Sequence, residues 1–307
     1  DGTVGVGYSA LLNLTSGIGN VAVGYQALLT NVDGDQNTAV GHQALKTFEA
    51  SSDGDGRNTA IGWNAGLSIT DAIMNTLVGS HAGDALTTGT QNTAIGATAL
   101  SAATTATLNT AVGKDAMGDI KTGVAVDSCV AVGHSALKGN SSNSTAINGS
   151  TAVGYRALKD VTTGAANTGI GQDAGVSLTS GGNNAIVGAT AGDALVDGDA
   201  NVLIGFDAAG ASTSIDHAVI IGYSAASDSN IAGTTGDGTI AIGYHSLKAM
   251  STGSFNLAVG RYAGDAITTG AYNIAIGDSA LGAETDCDAS IAIGYQAGFL
   301  QVSAGSA

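Results

Sequence analysis

Apolar residues return along this chain at a long fixed interval, not at the period of a helix or of one isolated strand. A cassette of Asn-Thr-Ala-Val/Ile-Gly, two variable residues and Ala recurs, in variant forms, seventeen times. Its glycines are Gly7, Gly24, Gly41, Gly62, Gly79, Gly96, Gly113, Gly133, Gly154, Gly171, Gly188, Gly205, Gly222, Gly243, Gly260, Gly277 and Gly294. Twelve of the sixteen gaps are 17 residues and the other four are 20 or 21. A fixed period of this length predicts a solenoid, each repeat forming one coil stacked on the last. The expected fold is an all-β parallel solenoid of about 17 coils, a single elongated domain over residues 1–307. The longer gaps before Gly62, Gly133, Gly154 and Gly243 read as loops inserted between coils.

Positions are counted from each cassette glycine. Position −1 is Val or Ile in every coil and position −3 is Thr or, in most other coils, a branched apolar residue. Residues two apart share one face of a strand. This predicts a coil core of Val23, Val40, Ile61, Val78, Ile95, Val112, Val132, Val153, Ile170, Val187, Ile204, Ile221, Ile242, Val259, Ile276 and Ile293. Position −2 faces the other way and carries no charge: Ala22, Ala39, Ala60, Leu77, Ala94, Ala111, Ala131, Ala152, Ile186, Leu203, Ile220, Ala241, Ala258, Ala275 and Ala292. A strand apolar on both faces is buried on both. The −2 column is therefore expected to meet a different strand, either across the same coil or on another subunit. A flat column of Ala on a thin solenoid favours the second and makes the column the expected assembly interface.

Position −4 is Asn in eleven coils, predicting a ladder of amide hydrogen bonds along the stack. Position +3 is Ala in sixteen coils and Ser246 in the other, marking a tight corner. Position +4 is commonly Leu or Gly. Apolar residues near +7, such as Leu86, Leu195 and Ile267, predict a short second strand that completes a flattened β-roll.

Composition narrows the class. Hydrophobic content is 44% but aromatic content only 4%, which suits a thin core of small side chains. Gly is frequent but Pro is absent, which excludes collagen. Net charge is −16, and nearly all the acid is Asp, a turn residue. Such a surface is a poor partner for nucleic acid. No apolar stretch is long enough to cross a membrane, and no signal peptide is seen. The chain opens at Asp1 without Met, which suggests a mature form or part of a longer protein. Cys129 and Cys287 are about nine coils apart, roughly 40 Å at ~4.8 Å per coil, and so are not expected to pair within one chain.

The cassette resembles the head repeats of trimeric autotransporter adhesins, and related repeats in phage tail fibres and other large bacterial surface proteins. The best matching stretches are residues 37–45, 58–66, 92–100 and 273–281. The resemblance implies a left-handed parallel β-roll assembled as a trimer around a buried axis. The regular 17-residue spacing is longer than the usual adhesin head repeat, and no coiled-coil stalk or membrane anchor is seen.

Candidate binding chemistry is sparse. Position +1 carries Tyr8, Tyr25, Trp63, Tyr155, Phe206, Tyr223, Tyr244 and Tyr295, with His42 and His134 in the same column. These rings read either as a ladder for cell-surface glycans or as padding along the roll. Asp-Gly-Asp turns at Asp33/Asp35, Asp53/Asp55 and Asp197/Asp199 are weak Ca²⁺ candidates without a full binding loop; no other metal or cofactor is implied. Asn13, Asn140, Asn143 and Asn148 are glycosylation sequons. The repeat offers many similar places and no unlike one, so catalysis is not expected.

The function read from these features is an extracellular structural fibre, on a cell surface or virion, formed by the chain with itself. An alternative is a filament subunit stacking end to end. The 13 residues after Gly294 and the seven through Gly7 together make 20, the spacing the chain itself uses between Gly113 and Gly133. Ice binding by the −3 Thr column is a minor alternative, disfavoured by reading that column as inward.

Overall fold

The computed structural model describes residues 2–49, 55–120, 126–140, 147–228 and 237–299. Seventeen parallel strands of three residues each, β1 (Val4–Val6) to β17 (Ile291–Ile293), form a β-solenoid, and there is no helix among the described residues. The chain clusters into two compact units, Asp1–Tyr155 and Arg156–Ala307. The first holds β1 to β9 (Thr151–Val153) and the second β10 (Thr168–Ile170) to β17. Within each unit every strand pairs with the next, cassette on cassette: in the first, Thr93, Ala94 and Ile95 sit beside Thr110, Ala111 and Val112. The backbone ladder extends beyond the three strand residues. Thr93 N donates to Asn109 O at 2.8 Å, Gly96 N to Val78 O at 2.8 Å and Thr98 N to Ser80 O at 2.9 Å.

The second strand expected near +7 is not present among the described residues. The rest of each coil is a chain of turns, with residues +2 and +4 at positive φ in every coil, such as Thr98 (φ 56) and Leu100 (φ 53). The +7 residues Leu86, Leu195 and Ile267 are nonetheless fully buried. They fill the coil as turn residues, because a left-handed residue every second position curls the chain too tightly for a strand.

The largest difference from the sequence expectation concerns which strand face is inside. The −2 residues, expected at an assembly interface, are the core of the coil. In the first unit Ala22, Ala39, Ala60, Leu77, Ala94, Ala111, Ala131 and Ala152 are fully buried within the single chain. In the second unit Ile186, Leu203, Ile220, Ala241, Ala258, Ala275 and Ala292 are likewise buried. The −1 residues, expected in the core, face out. Ile61 and Ile95 are 40% exposed and Ile204 37%; Val132, Ile170 and Ile293 are also exposed. Val23, Val40, Val78, Val112, Val153, Val187, Ile221, Ile242, Val259 and Ile276 are half-buried.

The reason is volume. Each coil encloses a narrow lumen that −2 and +4 fill together. Where −2 is Ala, as at Ala22, Ala39, Ala94 and Ala152, +4 is Leu28, Leu45, Leu100 and Leu158. Where −2 is large, +4 shrinks: Leu77 goes with Gly83, Ile186 with Gly192, Leu203 with Ala209 and Ile220 with Ala226. A Cβ placed on Gly83 would lie 2.8 Å from Leu77 Cδ2 of its own coil, and one on Gly192 would lie 2.7 Å from Leu203 Cδ1, the −2 residue of the next coil. Ala60, Ala258 and Ala292 have Gly66, Gly264 and Gly298 at +4 instead. A Cβ on Gly66 or Gly264 would lie 2.9 Å from Leu45 Cδ2 or Leu247 Cδ2, the +4 leucine of the preceding coil, so neighbouring coils share the lumen space.

This packing gives a first expected result. Ala94→Leu overfills the lumen against Leu100 and destabilises by about 1–3 kcal/mol. Adding Leu100→Gly recovers most of that loss, since it recreates the Leu77/Gly83 pair. A double-mutant cycle by urea denaturation checks it, with a coupling well above 0.5 kcal/mol expected.

Candidate assembly face and ring ladder

Turning −2 inward leaves −3 and −1 as two parallel columns on the outer sheet face. Neither column carries a charged residue in any coil. In the first unit the outer face alternates hydroxyl and aliphatic, with Thr38, Thr59, Thr76, Thr93 and Thr110 beside Val40, Ile61, Val78, Ile95 and Val112. In the second unit, after Thr168 with Ile170, it becomes aliphatic in both columns: Val202 with Ile204, Val219 with Ile221, Ile240 with Ile242, Leu257 with Val259, Ile274 with Ile276. β-Branched residues suit this place, since stacked identical side chains on a parallel sheet lock one another's rotamers.

Behind this face lies the expected asparagine ladder. In the first unit Asn20, Asn37, Asn58, Asn75, Asn92 and Asn109 are buried one above another. Each Oδ1 accepts from the backbone N–H of the next ladder residue; for Asn75 that donor is Asn92 N, at 2.9 Å. It also accepts the next amide, Asn92 Nδ2, at 3.0 Å. Asn92 Nδ2 also donates to Ala106 O at 2.7 Å, three residues before the next ladder residue, Asn109. The run ends at Cys129, whose N–H is held by Asn109 Oδ1 at 2.9 Å. A second set, Asn167, Asn184 and Asn201, repeats the arrangement in the second unit, as do Asn256 and Asn273.

The +1 rings stack on one another. In the first unit Tyr8, Tyr25, His42 and Trp63 follow at centroid distances of 5.5, 5.0 and 4.9 Å, and His134 stacks on Tyr155 at 5.6 Å. In the second unit Phe206, Tyr223 and Tyr244 follow at 5.1 and 5.5 Å. Within such a run each inner ring turns its faces to its neighbours. A sugar stacks on a ring face, so the inner members offer edges only, and only the end of a run has a face to spare. Tyr295 is largely exposed.

The remaining candidates distribute over the surface. Asp35 Oδ1 accepts Ile18 N at 2.7 Å and Asp199 Oδ1 accepts Gly182 N at 2.6 Å, so each of these Asp-Gly-Asp turns has a carboxylate engaged with the neighbouring coil. Asp53 lies outside the described residues. No cluster of three or more His, Cys, Asp or Glu suited to a metal occurs among the described residues. Asn13, Asn140 and Asn148 are exposed, though Asn148 Oδ1 already accepts Asp127 N. Asn143 lies outside the described residues, as does the stretch 300–307 on which the end-to-end register depends. Among the described residues no helix is long and apolar enough to cross a membrane. Both cysteines are free and buried, and burial pushes their thiols up, which keeps them neutral and unreactive.

Charge is kept off the outer strand face and lies in the turns that make up the rest of each coil. Burial raises the carboxyls of Asp84, Asp193 and Asp265, all at +5. Asp115 is held low despite burial, by the Thr98 hydroxyl and the Lys114 ammonium. Arg261 reaches Asp278 one coil on at 2.8 Å and holds that carboxyl low.

Comparison with protein-family models, curated proteins and solved structures gives no match. The functional reading rests on the geometry and on the resemblance of the cassette.

Proposed function

We propose that this chain is a segment of an extracellular structural fibre that associates with copies of itself through the outer −3/−1 sheet face. One observation carries the reading: no coil places a charge on that face, and in the second unit both columns are aliphatic in every strand after Thr168–Ile170. A contiguous apolar strip of this kind marks an interface. The interface lies on the face opposite the one expected from sequence, but the logic is the same. The solenoid supplies a stiff scaffold, because its coil-to-coil contacts are backbone ladders backed by the Asn amides. The resemblance to adhesin heads and tail-fibre repeats favours a trimer on a cell surface or virion. End-to-end stacking into filaments is a compatible second mode.

Light scattering behind size-exclusion chromatography tests the reading. The chain is 29.6 kDa, and an integer multiple of that mass at micromolar concentration is expected. Ile242→Glu with Val259→Glu, both outward, should reduce the particle to a monomer with unchanged circular dichroism. Ala258→Glu, inward, should instead unfold the coil. A wild-type monomer in dilute buffer would overturn the proposal.

The outward Thr column also gives ice binding a specific support that the sequence reading denied it. Thr38, Thr59, Thr76, Thr93 and Thr110 present methyl and hydroxyl groups at a regular spacing of ~4.8 Å. The two readings compete for one face. A monomer that shapes growing ice crystals would favour the second, and an oligomer with no thermal hysteresis the first.

A further inference from the structure

The ring stack of the first unit stops at Trp63. His42 lies against one side of the indole, tilted by 31° at 4.9 Å between centroids. The next two coils carry Ser80 and Ala97 at the same position, both exposed, and the third carries Lys114. The stack places one ring per coil, so two ring places beside the second face of Trp63 are unfilled, a gap of roughly 10 Å at ~4.8 Å per coil. Trp63 is left 57% exposed, the costliest side chain to leave in water. Polar groups border the gap. The His81 ring is bonded to Ser80 Oγ at 3.0 Å and lies 3.4 Å from Asn64 Nδ2.

We propose that a ring of a neutral saccharide occupies the Ser80 place, its C–H face on the indole and its hydroxyls toward Ser80 Oγ and His81. Three features select this occupant. A flat ring continues the stack that Tyr8, Tyr25 and His42 begin. The polar border suits a hydroxylated ring and not a wholly apolar one. The net charge of −16 repels polyanions such as nucleic acid or sulfated glycans. Stacking with one or two hydrogen bonds is a small contact, so affinity for one short oligosaccharide falls in the millimolar range, near 4 kcal/mol. Identical copies along a fibre would multiply it.

Trp63 is the chain's one tryptophan, so its emission reports on this place directly. The probes are maltohexaose, cellohexaose and chitohexaose, titrated into the intact protein up to about 10 mM, in line with that affinity class. At least one should give a saturable blue shift. Ser80→Tyr fills the place with the protein's own ring and should abolish the response at least tenfold, with mass and circular dichroism unchanged. Three results overturn the proposal: no saturable shift with any probe, a shift that survives in Ser80→Tyr, or a change of oligomeric mass in Trp63→Ala. The last would show that a second copy of the chain covers the indole.

Discussion

Gly96→Ala is expected to cost more than about 4 kcal/mol, a loss in the exceptional range for one methyl group. The residue follows β6 (Thr93–Ile95) at φ +138, a region open to glycine and strained for an L side chain. Strain is the smaller part. A Cβ there would lie 2.6 Å from the carbonyl carbon of Gly113, the cassette glycine of the next coil. That backbone cannot yield, because Gly113 N is itself bonded to Ile95 O at 2.7 Å. Gly294 separates the two costs. It has the same conformation, φ +128, but nothing within 4 Å of an added Cβ. Gly294→Ala should therefore show the strain alone, about 1–3 kcal/mol. Urea denaturation with limited proteolysis checks both. Because coils unfold as neighbours and not as one block, cleavage near residue 96 is expected before global loss of signal. Equal effects at the two glycines would refute the stacking argument.

Asn92→Ala should cost about 3 kcal/mol. Asn92 is 1% exposed and its side chain holds four bonds that alanine cannot replace, one of them from Nδ2 to Asn75 Oδ1 at 3.0 Å. Its Oδ1 accepts Asn109 N and Asn109 Nδ2, each at 3.1 Å, and its Nδ2 donates to Ala106 O at 2.7 Å. Truncation strands a buried backbone N–H and removes a donor from a buried carbonyl, at about 1–3 kcal/mol for each unsatisfied group. The cavity adds to this, unless a water enters and recovers part of it. Asn92→Asp should be worse than alanine, since it keeps the acceptor but buries a charge and loses the donor. Hydrogen exchange at the Asn109 amide is the direct readout: its protection should fall by two orders of magnitude or more, on the order of 3 kcal/mol, while amides several coils away stay protected.

These two variants touch the parts of the cassette that were most readable. The glycine and the asparagine recur at fixed places because a parallel stack puts each above its own copy. Any side chain on that glycine meets the next coil, and any Asn in that column meets an Asn. The face assignment was less readable, and the strand itself explains why. Three residues that are all apolar or Thr give no polar–apolar alternation to orient them, and a one-residue change of phase swaps inside for outside. The signal lay elsewhere, in the exchange of size between −2 and +4: Ala94 with Leu100, Leu77 with Gly83, Ile186 with Gly192. Two positions that trade volume share a lumen, and −4 and −2 share a strand face, so the buried Asn ladder points −2 inward as well. The second strand was misread because Leu86 and Ile267 are buried, and burial alone does not distinguish a strand from a curled turn.

The sequence by itself determined the period, the parallel stack, the coil count and the asparagine ladder. Those follow from translational repetition, in which each residue meets its own equivalent one coil away. The tertiary structure alone decided which columns face the lumen and which face out, and that the ring ladder spends its inner faces on itself. Those depend on contacts across a coil, between positions that differ in kind, where the local period carries no information and lumen volume and backbone handedness choose the side.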